Sequence, residues 1–422
     1  MSRLKPIRAI QFLLFFVALL NALEGQLRAD VGNRAVRQTN DNSKQEASVP
    51  SSEKASTRSS KLERPFLGAY LNFRQLFKSL ATDERREQAI DVALDRFQKS
   101  GLKVIMPYVT TTSGGSLYPS VVITDRVYGK WDPLAYLIRS ARDRSLEVYP
   151  VVCVLSCGHD KPAGVLNVHP EWATRHPDGT PAGHLCPANA EVRAWVTSIV
   201  AEVVDRYGPE GILLDYLRYR NRPSRLDASS EKAFKRYARE RPDIPRDELL
   251  QTYREQALTT LAKEISESAR KRQPGLKIAI YSWGPHVASD HRVAQDWPTW
   301  SAAGYVDMVN ISGYCYPDNY GKKYLDVFQK RIGDAVKLNR QAGGRADITF
   351  CLGVVTSHGK IRSADWVHDY LRLAGEKGVT GTAFFTWSTL QPFLSDVDER
   401  HYLPAFVAQI QRARHQREID AR

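Results

Sequence analysis

From Pro65 onward the chain alternates between short apolar runs and longer stretches whose apolar positions return every three or four residues. The runs at 66–71, 102–106, 146–153, 211–215, 276–281, 306–312, 348–355 and 381–386 carry little charge, which predicts strands buried on both faces. Pro150, inside the third run, cannot donate to a strand ladder and predicts a local irregularity there. Helical spacing fills the gaps between runs. In Asp83–Lys99, Ile90, Ala93, Leu94 and Phe97 fall on one stripe. The clearest helix opens at Asn189, a good N-cap, and carries Val192, Trp195, Val196, Ile199, Val200 and Val203 on one face. It stops at Tyr207-Gly208-Pro209. Further helices are expected around 133–144, 249–272 and 403–412, and residues 221–246 read as a long polar excursion behind the fourth strand.

Eight strand–helix units over residues 65–422 predict an α/β chain built as a single (β/α)8 TIM barrel. The rival is a doubly wound open sheet, but no glycine-rich phosphate fingerprint follows the first strand. Barrels of this kind keep their chemistry at the carboxyl ends of the strands. Asp215 closes the run Gly211-Ile212-Leu213-Leu214 at such a position and is the first candidate for a working residue. The competing reading is a structural acid tied to Arg218 or Arg220. Glu210 and Asp307 stand at the starts of their strands, on the opposite end, and read as structural.

The N-terminus has a different character. Arg3, Lys5 and Arg8 precede an apolar run at 9–20 that is short for a membrane span, so residues 1–23 read as a signal peptide or N-terminal anchor. Residues 24–64 hold few large apolar side chains and read as a disordered linker. Together they place the barrel outside the cytoplasm, secreted or in the periplasm or cell envelope, with no membrane span expected unless the signal segment is uncleaved. Of the net charge of +13, +8 falls on residues 65–422, and a basic body favours acidic partners, such as uronic or sulfated polymers or an anionic envelope surface. No basic recognition helix or RNA motif accompanies it, so nucleic acid is not an expected partner. No cofactor or metal is expected, because the histidines show no ligand spacing. The five cysteines allow up to two bridges, and Cys157–Cys186 is the expected pair because both should lie on the same rim.

An ordered series of short motifs then narrows the reading. Leu117-Tyr118-Pro119-Ser120, Trp131-Asp132-Pro133-Leu134, His169-Pro170-Glu171-Trp172, Leu185-Cys186-Pro187, Glu191-Val192-Arg193, Glu210 through Tyr216 and Gln295-Asp296-Trp297 resemble the glycosyl-hydrolase-like 10 family and its relatives. The resemblance spans most of residues 66–390. It implies a TIM-barrel glycoside hydrolase acting on polysaccharide or cell-wall glycan outside the cytoplasm. Two positions depart from the family pattern. The Arg associated with it after the second strand is missing where Pro107-Tyr108-Val109 runs into Thr110, and its doubled acid after the fourth strand is here Asp215 followed by Tyr216.

Glycoside hydrolysis ordinarily uses two carboxyl groups. Asp215 fills one role, and Asp318, in Tyr314-Cys315-Tyr316-Pro317-Asp318-Asn319 after the sixth strand, is the candidate for the other. Asp160 is a second choice, and Pro-Asp-Asn is also a good turn sequence. Tyr70, Tyr108, Trp283, Tyr314, Tyr316 and Trp387 fall at or just past strand ends, where flat rings suit pyranose faces or, equally, barrel packing. Arg218 and Tyr219 are candidates to orient Asp215 or to hold an acidic substituent, and His286 and His358 to bind sugar hydroxyls. A catalytically silent carbohydrate-binding barrel of the cell envelope, or a scaffold using its basic surface, remains as an alternative, since one barrel hosts many chemistries.

Overall fold

The structure is a computed structural model and describes residues 64–288 and 293–420. The signal-peptide expectation, and the linker expectation up to residue 63, fall on residues outside that range. The described chain is a (β/α)8 barrel. Its strands are β1 (Phe66–Leu71), β2 (Val104–Pro107), β3 (in two halves, Glu147–Val148 and Val151–Cys153), β4 (Gly211–Asp215), β5 (Lys277–Ser282), β6 (Met308–Ser312), β7 (Asp347–Gly353) and β8 (Gly381–Phe385). All neighbours are parallel, in the order β2–β1–β8–β7–β6–β5–β4.

Closure runs through the broken strand. The first half of β3 pairs with β2 and the second half with β4, so one strand joins the two ends of the sheet. The break sits at Tyr149-Pro150, where proline lacks the N–H that a ladder needs. Tyr149 N still donates to Ile105 O at 2.8 Å, and Pro150 O accepts from Leu213 N at 2.9 Å.

The helices that wrap the barrel are α1 (Asp83–Lys99), α2 (Pro133–Arg142), α3 (Ala190–Tyr207), α4 (Arg246–Arg272), α5 (Trp297–Ala302), α6 (Tyr324–Gln341), α7 (Ala364–Glu376) and α8 (Tyr402–Asp420). The predicted stripe of α1, Ile90 through Phe97, is its buried face, and Thr82 caps its N-terminus. Asn189 caps α3, and Gly208 ends it at φ +52°, a backbone region that glycine enters without a Cβ penalty. Among the described residues no helix is long and apolar enough to cross a membrane.

Two insertions rise on the carboxyl side. Between β3 and α3 an antiparallel hairpin pairs Ala173–Arg175 with Pro181–Leu185. Between β4 and α4 the polar excursion expected as loop contains a helix, Ala228–Arg239, capped by Asp227. That helix buries only Ser230 and Phe234, too thin a stripe for apolar periodicity to reveal.

Strand pleating sorts the side chains. Alternate residues face the lumen: Phe66 and Tyr70 from β1, Val104 and Met106 from β2, Tyr149 and Val151 from β3, with Leu213, Ala279, Met308, Cys351 and Ala383 opposite. At the floor, Phe66 meets Tyr149 edge-on at 5.6 Å between ring centres. Gly211 is required beside it, since a Cβ there would lie 2.4 Å from the Tyr149 ring.

All five cysteines are free and buried, so the expected Cys157–Cys186 bridge is not formed. The two thiols share a rim but face different neighbours. Cys157 Sγ packs against Gly114, while Cys186 Sγ lies 3.9 Å from Ser230 Oγ.

Candidate active site

Asp215 follows Leu213 by two residues on the lumen side of β4, and its side chain closes the top of that row. It is 7% exposed. Tyr108, just past β2, donates its hydroxyl to Asp215 Oδ2 at 2.8 Å. Asp215 Oδ1 accepts from the Tyr216 backbone N–H at 2.8 Å. That second contact depends on Tyr216 turning back at φ +57°, a left-handed conformation that costs a non-glycine residue on the order of 1 kcal/mol and tends to persist at functional sites.

Burial raises the pKa of Asp215 above the ordinary carboxylate range, and the Tyr108 hydrogen bond, the Arg218 charge and the Tyr216 N–H oppose the shift only in part. Burial first, and the Asp215 carboxylate second, push the Tyr108 phenol well above its usual value, so it remains a protonated donor. The competing reading of Asp215 as an arginine-bound acid is not what the structure adopts. Arg218 lies with its guanidinium carbon 3.9 Å from the Trp283 ring centre and 5.0 Å from that of Tyr216. Arg220 pairs with Asp160 at 2.5 Å.

Around the acid the opening is aromatic. Tyr70 lies 5.8 Å from Tyr108 and 5.5 Å from Phe385, and Tyr314 stands 6.0 Å from Phe385 and 6.1 Å from Tyr281, all between ring centres. His358, exposed on the loop after β7, faces Tyr314 at 6.4 Å. Below them Asn310 donates to Tyr70 Oη at 3.1 Å and accepts from Thr349 Oγ1 at 3.1 Å, which fixes the floor through three strands. Tyr70, Tyr108 and Tyr314 therefore share one mouth with Asp215, Arg218 and Trp283.

Other candidates lie elsewhere. Asp318 is exposed on the short helix Pro317–Tyr320 and pairs with Arg362 at 3.4 Å. Asp160 is exposed and held by Arg220 and, at 3.0 Å, by Arg222, which keep its carboxyl below the usual range. His286 is exposed on a short 3-10 turn after β5. Tyr219, Tyr316 and Trp387 were expected on the rim but are seated in the core. Tyr219 is fully buried with Arg254 over its ring at 5.0 Å, and Tyr316 donates to Gly353 O at 2.7 Å. Trp387 is 2% exposed against Phe97, 5.0 Å between centres. The reason is local: Tyr316 and Trp387 stand where short helices begin, so strand alternation no longer directs them inward.

Tyr281, Asn310, Thr349 and Phe385 were missed by looking only at strand ends. Period-two parity carried the signal, since Tyr281 follows lumen-facing Ala279 by two and Phe385 follows Ala383 by two. At the opposite end Glu210 accepts from Val148 N at 3.0 Å and Asp307 pairs with Arg270 at 2.9 Å, in agreement with structural roles. Among the described residues no cluster of three or more His, Cys, Asp or Glu side chains could hold a metal ion.

A parallel eightfold barrel with its polar cluster at the strand carboxyl ends defines the TIM-barrel class. A profile of the glycosyl hydrolase-like 10 family matches residues 70–341, more than half of the chain, and the protein belongs to that family. Glycosyl hydrolase DigH of Escherichia coli K12 is 26% identical over 296 residues, covering 60% of this chain and 64% of that protein. The chain thus matches less than two thirds of the length of its curated relatives. Among solved structures, the PgaB (BpsB) glycoside hydrolase domain from Bordetella bronchiseptica superposes with a TM-score of 0.61 at 13% identity, covering 79% of this chain and 98% of that one. Alpha-L-fucosidase isoenzyme 2 from Paenibacillus thiaminolyticus gives 0.56 at 13% identity, covering 79% and 49%. At such identity the likeness concerns the fold.

Proposed function

We propose that the protein is a glycoside hydrolase that cleaves O-glycosidic bonds in a polysaccharide or cell-wall glycan outside the cytoplasm, with Asp215 as its acid. The observation that carries this reading is a buried carboxyl at the barrel mouth whose proton affinity is raised by burial, ringed by aromatic faces. A carboxyl whose proton affinity burial has raised above the ordinary range suits donation to a departing glycosidic oxygen better than an exposed one. Tyr108 holds it from one side and the Tyr216 N–H from the other, so its lone pairs are directed before substrate arrives. Tyr314, Phe385 and the exposed His358 offer ring faces and a hydrogen-bonding edge to a sugar. Family membership supports the reaction class, and the basic, apolar N-terminus supports export.

One observation favours the second reading, a catalytically silent glycan-binding barrel. Asp318 and Asp160, the candidates for a second carboxyl, are both exposed and engaged by arginines. Reducing-end release from neutral, uronic, sulfated and N-acetylated glycans separates the two. The hydrolase predicts release by the wild type and at least a hundredfold less by Asp215→Asn. Equal release by both proteins removes Asp215 from the mechanism. Glycan binding without release by either favours the silent barrel.

A further inference from the structure

Arg218 is a charge at the barrel mouth for which the structure shows no carboxylate partner among the described residues. It leaves β4 three residues after Asp215 and lies at the barrel mouth, covered by the Trp283 ring at 3.9 Å and by Tyr216 at 5.0 Å. Its guanidinium makes one hydrogen bond among the described residues, from Nη1 to the Tyr219 carbonyl at 3.3 Å. No carboxylate among the described residues lies within ion-pair distance of it, although the neighbouring arginines of the same loop, Arg220 and Arg222, both reach Asp160. Asp215 is close enough to be felt electrostatically, yet its two oxygens are engaged by Tyr108 and Tyr216.

A guanidinium carries five N–H donors in a rigid plane. Arg218 is only partly buried, so the donors not used on Tyr219 stay open at the mouth, where an anion can meet them. Stacking on Trp283 holds the plane still, so little side-chain freedom is lost when two parallel N–H groups meet a carboxylate. The surrounding field points the same way. His184, buried 4% exposed on the hairpin beside this loop, is pushed down to about 3 by burial and by the positive charges of Arg218 and Arg220.

We infer that Arg218, planar against Trp283, is a subsite that reads a carboxylate on the substrate sugar. This rests on the proposed glycan-binding role of the mouth and narrows its substrate to acidic sugars such as uronic or carboxyalkylated units. Arg218 is in this view a specificity residue, and Trp283 a positioning residue that orients it.

The test reads the wild-type protein directly by following the Arg218 Nε–Hε resonance, assigned by its disappearance in Arg218→Lys, while free sugars are titrated in. Sodium glucuronate should produce a saturable shift with affinity at least about tenfold tighter than methyl glucuronate ester or glucose, the factor expected for a charge-assisted pair. In Trp283→Leu the glucuronate affinity should fall several-fold while the protein stays folded. No shift with glucuronate, or an equal response to the ester, overturns the carboxylate subsite. Neither result depends on hydrolysis. A glucuronate response without glycan cleavage keeps the subsite and removes the hydrolase; cleavage of neutral glycans with a silent Arg218 does the reverse.

Discussion

The carboxyl proposed as the acid sits where it does against the stability of the fold. Asp215 is buried, and its pKa in the folded chain stands above the value it has when unfolded. As pH rises through that window the unfolded chain has already released this proton, while the folded chain must ionise a desolvated group. Stability from this residue therefore declines between the ordinary carboxylate range and the raised value, and it stays lower at neutral pH. Asn in its place avoids the penalty. Its oxygen can accept from Tyr216 N, and its amide can donate to the Tyr108 hydroxyl oxygen, so both contacts survive. Asp215→Asn is expected to be more stable than the wild type at pH 7, by on the order of 1 kcal/mol. The gain should vanish near pH 3, where the wild-type carboxyl is protonated in both states. Urea denaturation at the two pH values checks this, and a variant that is less stable at pH 7 would contradict the raised pKa. A residue that costs stability where it sits is a mark of function more than of packing.

At the scale of elements, the mouth is held open by contacts between neighbouring units. Glu202, 8% exposed on α3, gathers the loop that follows β2: it accepts from Tyr118 Oη at 3.0 Å, Ser120 Oγ at 2.5 Å and Val121 N at 2.6 Å. Glu202→Ala would leave these donors without an acceptor in a buried seam. The expected loss is about 3 kcal/mol by chemical denaturation, with Glu202→Gln losing less because it keeps an oxygen. Equal stability of all three proteins would show that the loop is held some other way. Glu202 also explains why Leu117-Tyr118-Pro119-Ser120 stood out in the sequence. The strands were legible because each is a short apolar run, and the break in β3 because proline cannot donate. Asp215 was legible because it ends such a run. The partners that finish the site were not. Tyr281 and Asn310 lie inside their strands, and only the parity of a closed barrel turns them toward Asp215 from the far side. Sequence spacing likewise could not tell that Tyr316 and Trp387 begin short helices and turn into the core.

For the whole molecule, the source of stability is the continuous apolar layer between strands and helices, from Leu67 through Ile410, with the lumen cluster inside it. A chain of this size buries enough apolar surface to fold without covalent staples. The cysteines behave accordingly, as small apolar fillers. Burial raises the thiols of Cys157 and Cys186 to about 12, which leaves almost no thiolate at neutral pH, and both are closed to solvent. Two conditions for oxidation, ionisation and access, fail together, and the two sulfurs face Gly114 and Ser230 instead of one another. A thiol reagent should therefore find none of the five cysteines in the folded barrel and all five in denaturant. The melting temperature should be the same with and without a reducing agent, even for protein recovered from an oxidising compartment. A native bridge closing the 157–186 loop would instead contribute roughly 3 kcal/mol, which reduction would remove as a fall of a few degrees. Burial and pairing predict the same silence toward the reagent in the native state, so two readouts separate them: the response of the melting temperature to reductant, and the thiol count after unfolding under non-reducing conditions.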